Sequence, residues 1–283
     1  MILITGAAGT IGRELVKELR AARIPVRAMT RNPAKARAAL GEELELVRGD
    51  FTDSRSLASA LPNVRALFLL TAAGPWVADH DAAMLRAVKG TSVQKIVKMS
   101  AFGAGTAPLA SSRWHEPGER GVMESGLAWT VLRPAGFASN AQAWVPAIRA
   151  GDAIELATGD GRHAVVDPRD VAAVAARALA TDTHDGSIYE LTGPEPLTAA
   201  EQIATLGRAL GRSIATRDVT PEMAADRMRE AGTPAAFADA VREGYAYVRA
   251  GNAASQSDAV ERILGRAPRS FEVWVRDHLP LLR

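Results

Sequence analysis

The sequence predicts a doubly wound α/β fold built on a parallel sheet, and three observations lead to it. Short runs rich in Ile, Leu and Val alternate with longer amphipathic stretches through the first half of the chain, as in successive strand–helix–strand units. Such a composition is expected of strands covered on both faces. A glycine-rich turn joins the first run to the first amphipathic stretch.

The elements follow in order along the chain. Strands are predicted at residues 2–5, 26–30, 44–48, 66–71, 95–100, 130–133 and 188–192. Helices are predicted at residues 11–23, 34–40, 54–61, 79–89, 116–125 and 170–180. Residues 151–167 contain glycines and short alternating runs, which predict irregular or extended structure, and the chain from Thr198 onwards is predicted to be mostly helical.

Composition excludes several classes of function. The 34 Lys and Arg residues nearly balance 32 Asp and Glu, and no basic cluster indicates a nucleic-acid partner. The absence of cysteine excludes disulfides, thiol nucleophiles and iron–sulfur clusters, and the five histidines lack metal-ligand spacing. The most apolar later stretch, residues 66–73, is too short to span a bilayer. We therefore expect a soluble, cytoplasmic protein with no metal site and no membrane partner, whose partner is a small molecule.

The glycine-rich turn at residues 5–12 follows a predicted strand and opens a predicted helix. Its first glycine permits a tight turn, its second lets the backbone approach a pyrophosphate, and its third lets helix and strand pack closely. The helix N-terminus then offers free N–H groups to phosphates. An ordinary strand–helix turn also contains glycines, but this context favours a Rossmann-type dinucleotide site. Its predicted cofactor-binding residues are Gly6, Gly9, Thr10, Ile11 and Gly12.

The second strand indicates which dinucleotide is bound. NAD sites usually carry an acidic residue near its end, which binds the ribose 2′-hydroxyl. Residues 20–41 contain no acidic residue, and Arg31 and Lys35 stand where a carboxylate is expected. A guanidinium pairs well with a 2′-phosphate. We therefore predict NADP(H), although both side chains are also compatible with a solvated surface.

Two more segments are predicted to contact the cofactor because they follow strands, at the carboxyl edge where α/β sheets bind ligands. Asp50 and Phe51 follow the third strand, where Asp50 can approach the adenine amino group or instead cap the helix beginning near Ser54. Small residues after the fourth strand leave room for the cofactor, and they are Thr71, Ala72 and Ala73.

In this order, the motifs resemble the atypical short-chain dehydrogenase/reductases, and within them the NmrA-like group that includes triphenylmethane reductase. The resemblance extends over nearly the whole chain. Besides the glycine turn, it rests on Arg31-Asn32-Pro33, Gly49-Asp50, Glu119, Ser125-Gly126-Leu127, Thr130-Val131-Leu132-Arg133-Pro134, Phe137, Asp167-Pro168-Arg169-Asp170-Val171-Ala172, Tyr189-Glu190-Leu191-Thr192-Gly193-Pro194, Asp258, Gly265-Arg266, Pro268 and Phe271.

The resemblance implies a domain organisation and further contacts. It implies an NADP-binding Rossmann core at residues 1–136 and a small, mostly helical substrate-binding portion at 137–283, with residues of about 165–193 packing back on the core. It adds Pro134 and Phe137 to the cofactor-binding residues.

The sequence departs from the family at its acid/base pair. Short-chain dehydrogenases typically use a serine with a Tyr-x-x-x-Lys pair. The resemblance places Ser100 at the serine, but Ser111 and His115 at the tyrosine and lysine, and Lys98 is the last lysine of the chain. We predict His115 and Ser100 as catalytic residues, with His115 as proton donor because a histidine pKa lies near neutrality. His115 can equally bind the ribose or a backbone carbonyl. Pro117 follows closely, so we expect His115 at a helix entrance.

These features predict an NADPH-dependent reductase of a conjugated or aromatic acceptor, such as a quinone or an aromatic ketone of polyketide type. Trp144 and Tyr245 are predicted to line the substrate pocket, and the protein is expected to be a monomer or homodimer. The alternative is a non-catalytic, NADP(H)-sensing regulator of the NmrA type, which loss of the catalytic pair would permit.

Overall fold

The computed structural model describes residues 1–282, which form eleven strands and twelve α-helices. The strands are β1 Ile2–Ile4, β2 Val26–Thr30, β3 Glu45–Arg48, β4 Ala66–Leu69, β5 Lys95–Met99, β6 Ala128–Pro134, β7 Ile154–Leu156, β8 Arg162–His163, β9 Ser187–Leu191, β10 Leu197–Thr198 and β11 Thr216–Asp218. The α-helices are α1 Thr10–Ala21, α2 Pro33–Leu40, α3 Ser54–Ala60, α4 Val77–Val88, α5 Ala110–Met123, α6 Val145–Ala150, α7 Pro168–Ala180, α8 Ala199–Leu210, α9 Pro221–Glu230, α10 Ala235–Arg249, α11 Ala259–Leu264 and α12 Phe271–Leu282. A 3₁₀ helix at Ala138–Trp144 precedes α6.

Seven strands form the central sheet in the order β3-β2-β1-β4-β5-β6-β9. Strands β1 to β6 pair in parallel, and Ile2 of β1 pairs with Val26 on one side and Ala66 on the other. The strand order reverses between β1 and β4, and such a reversal opens a crevice at the carboxyl ends of the strands. The predicted Rossmann-type fold is confirmed.

Helices cover both faces of this sheet, which explains why its strands are rich in apolar residues. On one face, Leu3, Leu67 and Ile96 of β1, β4 and β5 are fully buried in a cluster with residues of α3 and α4. Helix α1 packs against α7, and it buries Leu15 and Leu19 on its apolar stripe.

The chain divides into two compact units. The first contains Met1–Pro134 together with Pro168–Glu190, and it holds the sheet and its covering helices. The second contains residues 135–167 and the chain from Leu191 onwards. Its own core is built mainly on the 3₁₀ helix, α6, α8 and α12, and it includes the buried side chain of Trp274.

Residues 151–167, predicted to be irregular or extended, contain the short strands β7 and β8. One helix boundary was predicted wrongly. Helix α5 begins at Ala110 instead of residue 116, so Pro117 lies inside it. Its buried positions Ser112, His115 and Glu119 repeat every three or four residues, and burial of this face outweighs the backbone hydrogen bond that a proline removes.

Within the described residues, we find no helix whose length and apolar character would let it cross a lipid bilayer.

Candidate functional site

The turn after β1 is shaped by its glycines. Gly6 has φ of +63°, a left-handed conformation that glycine adopts without strain. The amide of Gly9 donates to the carbonyl oxygen of Gly6 at 2.9 Å, which closes the turn. The hydroxyl of Thr5 donates to the carbonyl oxygen of Leu70 at 2.9 Å and ties the turn to the segment after β4.

The third glycine allows α1 to start directly against this turn. A Cβ atom at Gly12 would lie 2.3 Å from the carbonyl oxygen of Gly6 and 2.6 Å from the Cα of Ala7. Gly9 stands at the N-cap of α1 and supplies no side-chain hydrogen bond to the helix, and Thr10 is exposed on its first turn while Ile11 is buried. The free N–H groups of the first turn therefore form a cradle that fits a pyrophosphate.

The segments after β2 and β3 carry charged residues of opposite sign. Arg31 follows β2 and is exposed, as is Lys35 at the start of α2. Asp50 follows β3 and accepts hydrogen bonds from the amide and hydroxyl of Thr52 at 2.9 and 2.8 Å. These bonds, with smaller contributions from nearby Arg31 and His80, lower the pKa of Asp50 below its usual value.

Asp50 does not cap the following helix. The N-cap of α3 is Asp53, whose carboxylate accepts from the amides of Arg55 and Ser56. The capping alternative for Asp50 is therefore wrong, because the residue that satisfies the first amides of α3 lies three positions later.

An aromatic pair stands beside this acidic group. The ring of Phe51 stacks on the imidazole of His80, with centroids 5.1 Å apart and planes inclined by 11°. Both residues are half-buried. Their flat surfaces follow β3 and β4, at the carboxyl edge of the sheet where proteins of this fold bind their ligands.

The loop after β4 starts from a buried hydroxyl. Thr71 is buried and donates to Oδ1 of Asp81 at 2.9 Å, while Ala72 and Ala73 are exposed. Trp76 lies back over this loop, and its indole N–H donates to the carbonyl oxygen of Ala72 at 2.9 Å. The loop is thus held at both ends and presents small side chains to solvent.

The two predicted catalytic residues have different surroundings. The buried hydroxyl of Ser100 donates to Oε1 of Glu119 in a short hydrogen bond. Glu119 also accepts two hydrogen bonds from the guanidinium of Arg133, at 2.9 and 2.6 Å. This pairing raises the pKa of Arg133. Ser100 is therefore part of a closed polar network.

His115 lies within α5, not at a helix entrance, and is 6% exposed. Burial, and then the positive charge of Lys98, lower the pKa of His115 to about 3. The expectation of a pKa near neutrality is therefore wrong, because desolvation disfavours the imidazolium form. Among the described residues, Nδ1 of His115 is buried without a hydrogen-bond partner.

A buried ion pair lies next to this histidine. The Nζ atom of Lys98 is 2.5 Å from Oδ2 of Asp81, and both side chains are fully buried. The same ammonium group donates to the carbonyl oxygen of Met99 at 3.3 Å. Asp81 thus accepts a hydrogen bond from Lys98 on one carboxylate oxygen and one from Thr71 on the other.

The remaining predicted residues are distributed over both units. Pro134 is the buried last residue of β6 in the first unit. In the second unit, Phe137 is half-buried before the 3₁₀ helix, and Trp144 packs against the core of that unit. Tyr245 is half-buried in α10, and burial raises the pKa of its hydroxyl. The cofactor and pocket roles of these residues stay predictions.

The strand order and the glycine cradle at the point of reversal define a Rossmann-type dinucleotide-binding protein. Residues 6–182 match the family model described as NAD(P)H-binding. The chain therefore belongs to the NAD(P)H-binding family, among the NmrA-like atypical short-chain dehydrogenase/reductases. The resemblance inferred from the motifs is confirmed.

Relatives match over nearly the full length. The chain is 35% identical to an NAD(P)H azoreductase of Xenophilus azovorans over 279 residues, 98% of each chain. It is 36% identical over 280 residues, 98% of each chain, to a (4-alkanoyl-5-oxo-2,5-dihydrofuran-3-yl)methyl phosphate reductase of Streptomyces griseus. The crystal structure of the NADPH-dependent quinone oxidoreductase QOR2 of Escherichia coli with NADPH superimposes with a TM-score of 0.87 and 28% identity, covering 99% of each chain.

Sequence reasoning missed the buried group of Asp81, Lys98 and Gly118. One signal was present, since Lys98 interrupts an apolar strand that is covered on both faces. A lysine in such a position needs a buried partner. Nothing local identifies that partner, because Asp81 lies on a separate helix 17 residues earlier.

Proposed function

We propose that this protein is an NADPH-dependent oxidoreductase that reduces a conjugated acceptor, with azo compounds and quinones as the leading classes. The observation that carries the proposal is the cradle at residues 6–12, where a Cβ atom at Gly12 would collide with the Gly6 carbonyl. The third glycine of a Rossmann-type turn allows this close packing of helix on turn, which brings the free N–H groups of α1 to the pyrophosphate. NADPH supplies a hydride when bound.

The preference for NADPH over NADH rests on charge at the end of β2. Arg31 is exposed there, and residues 20–41 contain no carboxylate to bind a 2′-hydroxyl. A guanidinium binds a phosphate through charge-assisted hydrogen bonds. Lys35 is proposed to add a second positive charge, and the carboxylate of Asp50 is proposed to accept a hydrogen bond from the adenine amino group.

The proposed class of acceptor rests on the lack of a strong proton donor among the predicted catalytic residues. His115 is uncharged at neutral pH, and the Ser100 hydroxyl is donated to Glu119, so neither is a strong acid. Acceptors that delocalise the charge gained with a hydride can take their proton from water afterwards. The named activities of the relatives, on azo, quinone and dihydrofuranone compounds, agree with acceptors of this kind.

The division into two units supports separate roles in cofactor binding and substrate recognition. We assign the cofactor to the first unit, which contains the cradle, Arg31 and Thr71. Substrate recognition is assigned to the second unit, where Trp144 and Tyr245 offer aromatic surface. Each assignment is testable by substitution of these residues separately.

The test is NADPH oxidation by the purified protein with a panel of azo dyes, quinones and conjugated lactones, measured beside NADH. We expect turnover with at least one class and a lower KM for NADPH than for NADH. Tight NADPH binding without turnover of any acceptor would contradict the enzymatic proposal.

One observation favours the alternative, a non-catalytic NADP(H) sensor. The hydroxyl of Ser100 and the carboxylate of Glu119 are consumed in a closed network with Arg133, an arrangement that stabilises the fold without chemistry. A sensor would bind NADPH and NADP⁺ with different affinities and show no oxidation in the same panel.

A further inference from the structure

The carboxylate of Asp81 joins three separate elements of the first unit. Its Oδ1 accepts from the hydroxyl of Thr71 after β4, at 2.9 Å. Its Oδ2 accepts from the ammonium group of Lys98 on β5, at 2.5 Å. Asp81 itself belongs to α4, and all three residues are buried. The proposed chemistry does not use this ion pair.

Helix α5 leaves room for the pair through a glycine. A Cβ atom at Gly118 would lie 2.1 Å from Oδ2 of Asp81 and 2.9 Å from the Cε of Lys98. Buried ion pairs contribute little net stability, because desolvation of both charges offsets their attraction. A role beyond stability is therefore worth testing for Asp81 and Lys98.

His115 is on the same helix, three residues before Gly118, and is affected by the ammonium group of Lys98. Helix α5 carries Arg113, Glu116, Glu119 and Arg120, and the elements packed against it carry Asp79, His80, Asp81, Arg86, Lys95, Lys98 and Arg133. Among these, Asp81 pairs with Lys98, Lys95 pairs with Asp182 and Asp185, and Glu119 pairs with Arg133. Of the charges on these elements, only that of Lys98 contributes to lowering the pKa of His115.

Within residues 1–282, the Nδ1 atom of His115 has no hydrogen-bond partner although it is buried. A buried polar atom without a partner is costly and rare in native structures, so it calls for a functional explanation. An uncharged imidazole nitrogen can accept a hydrogen bond from a hydroxyl, or donate one, and NADP(H) carries ribose hydroxyls.

We propose that Asp81 and Lys98 form a positioning pair for His115. The carboxylate, fixed by Thr71, holds the ammonium group against α5 at Gly118, three residues after His115. There the ammonium group adds to burial in disfavouring the imidazolium form, and Nδ1 is proposed to bind a hydroxyl of the dinucleotide. The inference rests on the proposed dinucleotide-binding function. Lys98 and Asp81 act through His115 and touch neither cofactor nor substrate.

The test uses the paired substitution Lys98→Met with Asp81→Asn, which removes both charges together and leaves an amide oxygen for Thr71. His115 is titrated by NMR in the protein without ligand, and NADP⁺ affinity is measured by calorimetry. We expect the imidazole of the paired variant to titrate at higher pH than in the wild type. We expect its NADP⁺ dissociation constant to rise about tenfold, and His115→Asn to weaken binding similarly.

A triple variant that adds His115→Asn to the paired substitution decides whether the effects act through one residue. We expect it to bind NADP⁺ no more weakly than the paired variant, since coupled residues give non-additive losses. The matched control is Lys95→Met, a buried lysine on the same strand with its own acidic partners. We expect it to leave the His115 titration and the NADP⁺ affinity unchanged.

An unchanged His115 titration in a folded paired variant would overturn the proposal, and so would additive losses in the triple variant. A wild-type protein that fails to bind NADP⁺ would instead refute the dinucleotide-binding function. The NMR titration would still decide whether Lys98 controls the charge of His115.

Discussion

Lys98 and Asp81 form an ion pair that is fully buried between β5 and α4, with Nζ and Oδ2 2.5 Å apart. The carboxylate of Asp81 also accepts a hydrogen bond from Thr71, at the start of the loop after β4, so charged groups interrupt the apolar interior of the first unit here. Removing one charge of the pair should cost much more free energy of unfolding than removing both, and the first prediction tests this difference.

Lys98→Met should lower the free energy of unfolding by about 3–5 kcal/mol, because it leaves the carboxylate of Asp81 buried without its counter-ion. Adding Asp81→Asn should restore most of that loss, since no charge then remains to be desolvated. Urea denaturation of the two variants measures both values. Equal stability of the single and double variants would show that solvent reaches Asp81.

Arg31→Asp should raise the dissociation constant of NADPH about 10- to 100-fold, the equivalent of one or two charge-assisted hydrogen bonds. The constant for NADH should change much less, because NADH has no 2′-phosphate. The matched control is Arg65→Asp, the same charge change at an exposed residue that precedes β4. Equal effects of Arg31→Asp on both cofactors would contradict the 2′-phosphate assignment.

Gly12→Ala should weaken NADPH binding strongly and destabilise the protein by about 1–3 kcal/mol, because the new methyl group must displace the turn at Gly6. Calorimetry and thermal melting measure the two effects. The control is Gly244→Ala in α10, where nothing lies within 4 Å of the added Cβ. That change should raise stability by about 0.5–1 kcal/mol through helix propensity and leave binding unaffected.

His115 should make the protein less stable in acid. Its pKa is about 3 when folded and 6.5 in the unfolded chain, so the unfolded state binds more protons between these values. Stability from the uncharged His115 is therefore fully present above pH 6.5. It is lost as the pH falls towards 3, with a slope of up to about 1.4 kcal/mol per pH unit.

Denaturation of His115→Gln across this pH range measures that contribution, and the variant should show a shallower acid dependence than the wild type. Burial also lowers the pKa of His163. His163→Gln should therefore remove a separate contribution to the pH dependence of the free energy of unfolding. It serves as the matched comparison for His115→Gln. Parallel stability curves for His115→Gln and the wild type would contradict the low pKa.

Most elements of the sheet were predictable because their signals are local. The apolar runs of β1, β2 and β5, and the glycine spacing after β1, follow from requirements that neighbouring residues impose on one another. Helix α5 was predicted to start six residues late. Pro117 is a strong local signal for a helix start, but burial of Ser112 and His115 against the sheet decided the boundary.

The candidate site also shows that local signals predict residue types and positions but not tertiary surroundings. The cradle at Gly6, Gly9 and Gly12 and the cation at Arg31 were visible in the sequence, because their chemistry depends on residue type and on position after a strand. The surroundings of Ser100 and His115 were not visible. A histidine pKa depends on desolvation and on Lys98, and the role of Ser100 depends on Glu119, which lies 19 residues away.

The sequence by itself thus determined the Rossmann-type sheet, the phosphate cradle and the family, since each depends on short-range patterns of size, charge and backbone freedom. Tertiary structure alone decided that Asp81 meets Lys98 and that His115 is uncharged. Burial and ion pairing depend on which elements pack together, and the local sequence around a residue does not identify its partners on distant segments.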